Sequence, residues 1–292
     1  MRSYLRLGIY TLALISCLET TSWADEVSGI LTKTYVIVED TDLVGDVICD
    51  VGSNPCFSFG ANGVELRLNA FTITGKADAV TGCGGANSPN EFGITTNGQH
   101  SVGVRGPGAV QRFRNHGVFV TGGSRNARVE DLTVSTNCTA GIRVAVAAFD
   151  TLVEGNTVVR NGATTPGSSC GGICLNGRNS RIRRNIAHGN GYSNPPDDFG
   201  IGVIDGAQDN YIDENTVSGN TNGLYITAGA VNTVVRNNVI VGNPAIQVGN
   251  AQPEARALDI VNLAAPGETK FERNLCLTAV NAPCPVVVRD KP

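Results

Sequence analysis

Concentrated positive charge is missing from this sequence, and aromatic residues are few. Lysine and arginine together number 22 against 26 acidic residues, and they form no basic run. Only 5% of the 292 residues are aromatic, and the one tryptophan is Trp23. A nucleic-acid-binding surface needs clustered lysine and arginine, so the composition excludes nucleic acid as an expected partner.

Long apolar runs are also scarce, and the one near the N-terminus is too short to span a bilayer. The positively charged Met1–Arg6 is followed by the apolar stretch Leu7–Leu18, and Ser22-Trp23-Ala24 places small residues where a signal peptidase reads them. This order is typical of a signal peptide. We predict a signal peptide over residues 1–24 and a secreted or periplasmic domain over residues 25–292.

A second interpretation of the N-terminal segment stays open. Leu14-Ile-Ser-Cys17 resembles a bacterial lipobox, in which Cys17 would carry lipid and become the first mature residue. The protein would then be lipid-anchored at the cell envelope, and this anchor would be its only contact with a membrane.

Eight cysteines remain besides Cys17, and an even number in an exported chain indicates disulfides. Zinc is disfavoured because no CxxC or CxxH pair is present. Two pairs lie close enough in sequence to bond locally, Cys49 with Cys56 and Cys276 with Cys284. For the other four, the preferred pairing is Cys83–Cys138 with Cys170–Cys174, and Cys138–Cys170 is the main alternative.

Glycine and asparagine are abundant, with 36 and 28 residues. Both tolerate left-handed backbone conformations and tight turns. β-Branched residues are frequent and strong helix formers are few, so the composition predicts many short strands joined by many turns.

A repeat runs through most of the chain. The unit Asn156-Thr-Val-Val-Arg-Asn161 recurs at Asn185–Asn190, Asn215–Asn220 and Asn238–Asn243. A glycine followed by an aliphatic residue comes after each unit, at Gly93-Ile94, Gly117-Val118, Gly141-Ile142, Gly172-Ile173, Gly200-Ile201 and Gly223-Leu224. A period of about 23 residues with occasional insertions is typical of one coil of a β-solenoid.

Each coil should hold two or three short strands whose side chains alternate inward and outward. Valine, isoleucine and leucine would then stack into one core, and asparagines at the corners would bond to the same position one coil away. The predicted fold is all-β, a single parallel β-helix of about eight to nine coils. Val27–Phe59 and the disulfide-bonded Cys276–Cys284 segment are the expected caps.

The repeat Asn-x-(Val/Ile)-x-x-Asn with its Gly-Ile pair resembles the NosD-like and pectate-lyase-like superfamily. Leu66–Gly75 is similar to a segment found in the first full coil of such proteins, although Arg67, Ala70 and Phe71 depart from it. The resemblance covers roughly residues 35–275 and implies a right-handed helix. It does not imply one activity, since the superfamily holds lyases, hydrolases, epimerases, adhesins and accessory proteins.

Three insertions interrupt the period at Gly75–Phe92, Gly162–Gly171 and Gly191–Phe199. All three leave the coil between the second asparagine and the Gly-Ile pair. We predict that they project from one edge and form one wall, where a rigid scaffold would carry a binding or catalytic site.

The candidate catalytic residues at this wall are Asp197, Asp198, Arg160 and His188. Paired carboxylates can share acid–base work, arginine can bind a uronate carboxylate, and histidine titrates near neutral pH. The Asp pair resembles that of polygalacturonases, but the Asn-Thr-Asp, Gly-His-Gly and Arg-Ile-Lys motifs of that family are absent in the required order. Further polar candidates near the wall are Arg112, Arg114, His116, Tyr192 and Asp205.

No cofactor is expected, with calcium as the one alternative. A calcium site would need several convergent carboxylates, and only Asp197, Asp198 and either Asp78 or Glu91 could reach one place. A different outward row should stack charges of mixed sign and form a solvated, self-neutralised face; it comprises Glu130, Glu154, Arg183, Asp213, Arg236 and Glu272.

Three functions fit these patterns. The first is binding or processing of an extracellular acidic polysaccharide, by a lyase or glycoside hydrolase if the protein is an enzyme. Scarce aromatics disfavour a stacking platform for neutral sugars. The second is a non-catalytic surface scaffold or adhesion-type protein. The third, a NosD-like accessory protein for metal-centre maturation, is weakened by one methionine and three histidines.

Overall fold

The structure, a computed structural model, describes residues 24–77, 83, 90–162, 171–191, 199–243 and 258–285. These residues form short strands and turns, and every strand pair among them is parallel. The strands are, in chain order, β1 (Asp25–Leu31), β2 (Tyr35–Ile37), β3 (Thr41–Cys49), β4 (Phe57–Phe59), β5 (Glu65–Arg67), β6 (Thr72–Thr74), β7 (Ile94–Thr95), β8 (Gly103–Arg105), β9 (Ala109–Gln111), β10 (Val118–Val120), β11 (Arg128–Glu130), β12 (Thr133–Ser135), β13 (Ile142–Val144), β14 (Leu152–Glu154), β15 (Thr157–Val159), β16 (Ile173–Leu175), β17 (Arg181–Arg183), β18 (Ile186–His188), β19 (Phe199–Val203), β20 (Tyr211–Asp213), β21 (Thr216–Ser218), β22 (Asn222–Ile226), β23 (Thr233–Arg236), β24 (Val239–Ile240), β25 (Ile260–Asn262), β26 (Thr269–Glu272), β27 (Leu275–Cys276) and β28 (Ala279–Val280).

The strands stack into three faces of a parallel β-helix. Face A runs β1-β3-β5-β8-β11-β14-β17-β20-β23-β26, and face B runs β1-β3-β6-β9-β12-β15-β18-β21-β24-β27. The long strands β1 and β3 belong to both faces and join them into one 18-stranded sheet. Face C is the 10-stranded sheet β2-β4-β7-β10-β13-β16-β19-β22-β25-β28.

The predicted parallel β-helix is confirmed, and its described part has ten rungs on face C where eight to nine coils were predicted. The difference arises at both ends, because the predicted C-terminal cap Cys276–Cys284 also contributes a rung through β28. Val27–Phe59, expected as a cap, forms regular rungs through β1–β4. Across the described residues, no helix is long and apolar enough to cross a membrane.

The core is a stack of inward residues, one from most strands of faces A and B and two from most strands of face C. On face C, Ile94, Val118, Ile142, Ile173, Ile201, Leu224 and Ile260 are all fully buried. Valine and isoleucine occupy most inward positions of the other faces in the same register. Each such side chain contributes about 1.5–3 kcal/mol by leaving water, and β-branched shapes suit strands.

Each corner turns on one residue in the left-handed region. Between faces A and B these residues include Arg184 (φ 55°) and Glu214 (φ 56°), and between faces B and C they include Arg160 (φ 55°) and Gly189 (φ 62°). One left-handed residue reverses the pleat, so the next side chain points into the core.

A buried asparagine follows most of these turns, and the asparagines form two columns. One column comprises Asn156, Asn185, Asn215, Asn238 and Asn274, and the other Asn137, Asn161, Asn190, Asn220 and Asn243. The Nδ2 of Asn190 donates to Asn220 Oδ1 (3.0 Å) and to the Val158 carbonyl (2.9 Å). The predicted structural role of these asparagines is confirmed.

The glycine of every Gly-aliphatic pair from Gly117 onward faces an asparagine column, and Gly93 faces Phe113 instead. A β-carbon at Gly117 would lie 2.6 Å from Asn137 Nδ2 and 2.6 Å from Val134 Cγ1. At Gly141 it would meet Val158 Cγ1 at 2.5 Å. The repeat keeps glycine here because no side chain fits between the column and the core.

Three of the predicted disulfides are present: Cys49–Cys56, Cys83–Cys138 and Cys276–Cys284, with Cα separations of 5.7, 5.6 and 5.2 Å. The rival pairing of Cys138 with Cys170 is therefore wrong. Cys174 is also disulfide-bonded, and Cys170 lies outside the described residues.

Candidate functional site

The edge predicted to carry the insertions is the corner between faces B and C. The bases of the second and third insertions touch there, because Gly162 and Gly171 pack against each other and both lie against the Gly191 backbone. The Gly191 amide donates to the Asn161 carbonyl (2.8 Å). The first insertion is fastened to the same corner by Cys83–Cys138.

Two of the four candidate catalytic residues are described, and they are neighbours. Arg160 and His188 lie exposed on adjacent coils, and the Arg160 amide donates to the His188 carbonyl (3.2 Å). The His188 ring lies 3.1 Å from Ser218 Oγ through Nδ1. Asp197, Asp198, Tyr192 and Asp78 lie outside the described residues, so their part in a site stays a prediction.

The predicted self-neutralised row is confirmed on face A. Strand register places Glu130, Glu154, Arg183, Asp213, Arg236 and Glu272 opposite one another on successive rungs. Arg183 pairs with Glu154 (2.8 Å) and Arg236 pairs with Asp213 (2.9 Å). Glu154 also pairs with Arg184, so this surface offers no excess charge to a ligand.

Glu91, the described member of the calcium alternative, lies in a different setting. Its carboxyl pairs with Arg114 (3.4 Å) beside a cavity of about 190 Å³, into which Lys76 and Asp50 also reach. Burial raises the pKa of the Glu91 carboxyl, and the charges of Arg114 and Lys76 oppose that rise. Within the described ranges, no three His, Cys, Asp or Glu residues are grouped to hold a metal ion.

The outer surface of face C carries a different set of side chains. The central outward row contains, on successive rungs, Thr95, Phe119, Arg143, Cys174, Gly202 and Tyr225. The residues immediately before the repeat glycines run beside it: Phe92, His116, Ala140, Gly171, Phe199 and Asn222. We call these two rows the outer rows of face C.

Aromatic rings gather at two places in the outer rows. Near one end, the Phe92 ring centroid lies 4.8 Å from that of Phe119 and 5.7 Å from that of His116, with which it is stacked. Near the other end, Phe199 stacks on Tyr225 at 4.5 Å. Four strand spacings, about 19 Å, separate Phe119 from Tyr225.

Arg143 lies between the two aromatic groups. Its side chain is half-buried, and within the described part of the chain it forms no ion pair or hydrogen bond. Burial lowers the pKa of the guanidinium, which nevertheless stays charged at neutral pH. A half-buried charge without a partner is costly, and this arrangement suits an incoming anion.

His116 adds a neutral donor next to Arg143. The ring is 7% exposed, and its Nδ1 accepts from the Ala140 amide (3.2 Å) and bonds to the Thr139 hydroxyl (2.9 Å). Because that amide can only donate, the proton of the neutral ring is on Nε2, for which the described residues provide no partner. Burial and the charge of Arg143 lower the pKa of His116 to about 3.

The sequence analysis disfavoured an aromatic platform for neutral sugars because aromatic residues are scarce. It missed this site because Phe92, Phe119, Phe199 and Tyr225 are widely spaced in the chain. A signal was nevertheless present. Phe92 and Phe199 each stand immediately before a Gly-Ile pair, and His116 stands before Gly117-Val118. Equal positions relative to the repeat glycine place these three residues in one outer row.

These features define a β-helix with a candidate binding site on one face, where Phe92, Phe119, Arg143 and Tyr225 are partly exposed and the other members of the outer rows are buried. A family model described as the right-handed β-helix region matches residues 109–260, which is more than half of the chain. The protein belongs to this family and is a right-handed parallel β-helix. No curated protein sequence matches it at a significant level.

Two solved structures show the same fold. The Dettilon tailspike protein is 14% identical with a TM-score of 0.55, over 85% of this chain and 54% of that chain. The enzymatically active domain of tailspike protein 2 of bacteriophage CBA120 is 13% identical with a TM-score of 0.50, over 85% of this chain and 38% of that chain. The chain thus spans about half or less of these relatives, and at such identities the likeness concerns the fold.

Proposed function

We propose that this protein is exported and binds an extracellular acidic polysaccharide along the outer rows of face C. The observation that carries the proposal is Arg143, a half-buried guanidinium with no partner in the described structure, located between two aromatic groups. Arginine can hold a carboxylate through two parallel hydrogen bonds. Aromatic rings offer flat apolar surfaces to the faces of adjoining sugars.

The proposal covers processing as well as binding. The likeness of the fold to an enzymatically active tailspike domain supports testing turnover. Arg160 and His188 lie at the corner that borders face C, and Asp197 and Asp198 are the predicted acids of the same corner. Reducing ends and the ultraviolet absorbance of unsaturated products would separate hydrolysis from elimination.

Replacing Arg143 tests the binding site directly. Arg143→Gln should weaken affinity for an acidic polysaccharide by about tenfold or more, because a charge-assisted hydrogen bond contributes about 1.5–3 kcal/mol. Arg143→Lys should retain part of the affinity. Affinity electrophoresis and titration calorimetry on a panel of acidic and neutral polysaccharides would measure it, with thermal melting as a check on folding.

Arg184→Gln is the matched control, since Arg184 is an exposed arginine on the paired surface of face A. It should leave polysaccharide affinity unchanged. An equal loss in both variants would contradict a site on face C. No retention of the unaltered protein on any polysaccharide would favour a surface scaffold instead.

Export is supported by the disulfides, which persist in oxidising compartments. The choice between a cleaved signal peptide and a lipid anchor concerns residues 1–23, which lie outside the described structure. Membrane fractionation with and without Cys17→Ala distinguishes the two. If the unaltered protein needs detergent for extraction and the Cys17→Ala variant does not, the lipid anchor is established. If the unaltered protein and the variant are both soluble in the periplasm or the medium, the cleaved signal peptide is established.

A further inference from the structure

The corner between faces C and A, at the other edge of face C, carries arginines on alternate rungs. Two outward rows meet there, and their pairing places the members on successive rungs. The row at the corner comprises His100, Arg125, Phe149, Arg178, Gln208 and Val231, and the adjoining row of face A comprises Arg128, Leu152, Arg181, Tyr211 and Val234. The rung of Arg125 therefore also carries Arg128, and the rung of Arg178 also carries Arg181. We call these two the basic rungs.

Acidic residues occupy the rung that follows each basic rung. Asp150 lies on the rung between the two basic rungs, and Asp205 and Asp209 lie on the rung after the second. In the described part of the chain, none of these three carboxylates pairs with an arginine. Asp150 accepts from Asn179 Nδ2, and Asp209 accepts from Asn232 Nδ2. The sign of the charge along this corner thus alternates from rung to rung.

Three of the four arginines on the basic rungs lack an anionic partner. Arg125, Arg178 and Arg181 are exposed, and their guanidinium groups form no ion pair or hydrogen bond with the described residues. Arg125 lies over the Phe149 ring at 5.1 Å, and Arg181 lies over the Tyr211 ring at 5.4 Å. A guanidinium that contacts a ring through its face keeps its edge N–H groups free. The rings therefore position these donors without occupying them.

This corner differs from the self-neutralised row of face A, where each arginine pairs closely with a carboxylate. On the basic rungs, Arg128 approaches Glu130 at 3.7 Å, and Glu130 is also bound by Arg105 at 3.2 Å. The turns of this corner, residues 121–127, 145–151, 176–180 and 204–210, are described in full. The basic rungs therefore present unpaired positive charge to a ligand.

The spacing of the basic rungs selects the ligand. They are two strand spacings apart, about 9.6 Å. An extended chain of β-linked sugars advances by about one strand spacing, about 5 Å, for each sugar, so alternate sugars would meet basic rungs. The intervening sugar would lie beside Phe149, Leu152 and Asp150, where an added anion would face a carboxylate. A groove of about 430 Å³ opens here, with Asp150, Leu152, Arg181 and Tyr211 in its lining.

Resting on the proposed function, we infer that this corner is a second polysaccharide site, for a β-linked chain with a uronate on alternate sugars and uncharged sugars between them. The chain lies along the helix axis. One uronate carboxylate binds at Arg125 and Arg128, and the next binds at Arg178 and Arg181. Asp150 disfavours polymers that also carry an anion on the intervening sugar.

Four polymers test this inference on the exported full-length protein. They are chondroitin, in which glucuronate alternates with an uncharged N-acetyl sugar, chondroitin sulfate, whose N-acetyl sugars also carry sulfate, carboxyl-reduced chondroitin, and dextran. Titration calorimetry should show chondroitin binding about tenfold or more tightly than carboxyl-reduced chondroitin or dextran. Chondroitin should also bind about threefold or more tightly than chondroitin sulfate. A basic surface without alternating charge would prefer chondroitin sulfate, so that order of affinities would overturn the inference.

Variants link this preference to the residues. The double variant Arg125→Gln/Arg178→Gln should weaken chondroitin binding by about tenfold or more, and the control Arg184→Gln should leave it unchanged. Asp150→Asn should bring the affinity for chondroitin sulfate to that for chondroitin. Thermal melting checks that each variant is folded.

The outcomes separate this site from the one at Arg143. Undiminished chondroitin binding by the double variant, or an unchanged preference in Asp150→Asn, would overturn the inference. If Arg143→Gln alone weakened binding, the proposed function would stand without the second site. If chondroitin failed to bind while another acidic polysaccharide bound through Arg143, the inference alone would fall. Retention of no acidic polysaccharide would remove the proposed function and this inference together.

Discussion

His116 is a histidine buried among aromatic rings, with its Nδ1 accepting from the Ala140 amide. Protonating Nδ1 would break that hydrogen bond and place a second positive charge beside Arg143. The pKa of His116 is therefore lowered from 6.5 to about 3 by burial, with Arg143 contributing. The unfolded chain binds a proton between these two values and the folded chain does not, so stability falls as pH drops from 6.5 toward 3.

Replacing His116 by a residue that does not titrate should reduce the loss of folding stability at acid pH. Each pH unit below 6.5 costs about 1.4 kcal/mol, so the protein should lose about 2–3 kcal/mol at pH 4.5 through His116. His116→Asn keeps an acceptor near the Ala140 amide and does not titrate. Urea unfolding at pH 7.5 and pH 4.5 should show a smaller loss for the variant, and equal losses would contradict the buried neutral ring.

A β-carbon at a repeat glycine should be poorly tolerated. Gly117→Ala would force the new carbon against Asn137 Nδ2 and Val134 Cγ1, both held by the core, and should destabilise by about 3 kcal/mol. Gly103→Ala is the control, because there the new carbon meets the Glu65 side chain, which can move. Thermal melting compares the two, and an equally stable Gly117→Ala would refute the packing argument.

At the scale of strands and corners, one asparagine connects three coils. Asn190 Oδ1 accepts from the amide and Nδ2 of Asn161, while its own Nδ2 donates to Asn220 and to the Val158 carbonyl. If an oxygen replaced Nδ2, it would face two other acceptors, Asn220 Oδ1 and the Val158 carbonyl, in a buried setting.

Asn190→Asp should therefore destabilise by about 3–5 kcal/mol at neutral pH. Asn62→Asp changes the same atoms at an exposed position where Oδ1 accepts from the His100 amide, and should change stability by no more than about 0.5 kcal/mol. Denaturant midpoints give both values. A similar small effect at both positions would mean that the column contributes little beyond its backbone turn.

These elements also show what could be predicted from the sequence. The asparagine columns and the charged row on face A were predictable because their members recur at a constant place in each coil. The aromatic groups of face C were not predicted because coil lengths vary, which hides the residues that share a row. Phe119 and Arg143 are 24 residues apart, whereas Arg143 and Cys174 are 31 residues apart. The absence of a partner for Arg143 depends on three-dimensional packing, which spacing does not report.

At the scale of the whole molecule, Cys83–Cys138 joins segments 55 residues apart, whereas Cys276–Cys284 closes a separation of 8. Loop-closure entropy predicts about 4 kcal/mol for the first and about 2.5 kcal/mol for the second. Replacing each pair by alanines should lower stability in that order. Guanidinium unfolding under non-reducing conditions measures it, and the reverse order would show that these bonds act mainly on native packing.

The asparagine column that begins at Asn137 has an electrical direction. Every side-chain amide in it donates to the next asparagine toward the C-terminal end, from Asn137 to Asn161 and onward to Asn243, and also donates to a backbone carbonyl of the preceding coil. Aligned amide dipoles reinforce one another and accumulate partial positive charge where the donors point. At that end stands Asp259, whose carboxylate accepts from the amide and Nδ2 of Asn243 and from the amides of Leu277 and Thr278. The column therefore carries a net dipole along the helix axis, and the Asp259 carboxylate lies at the positive end of that dipole.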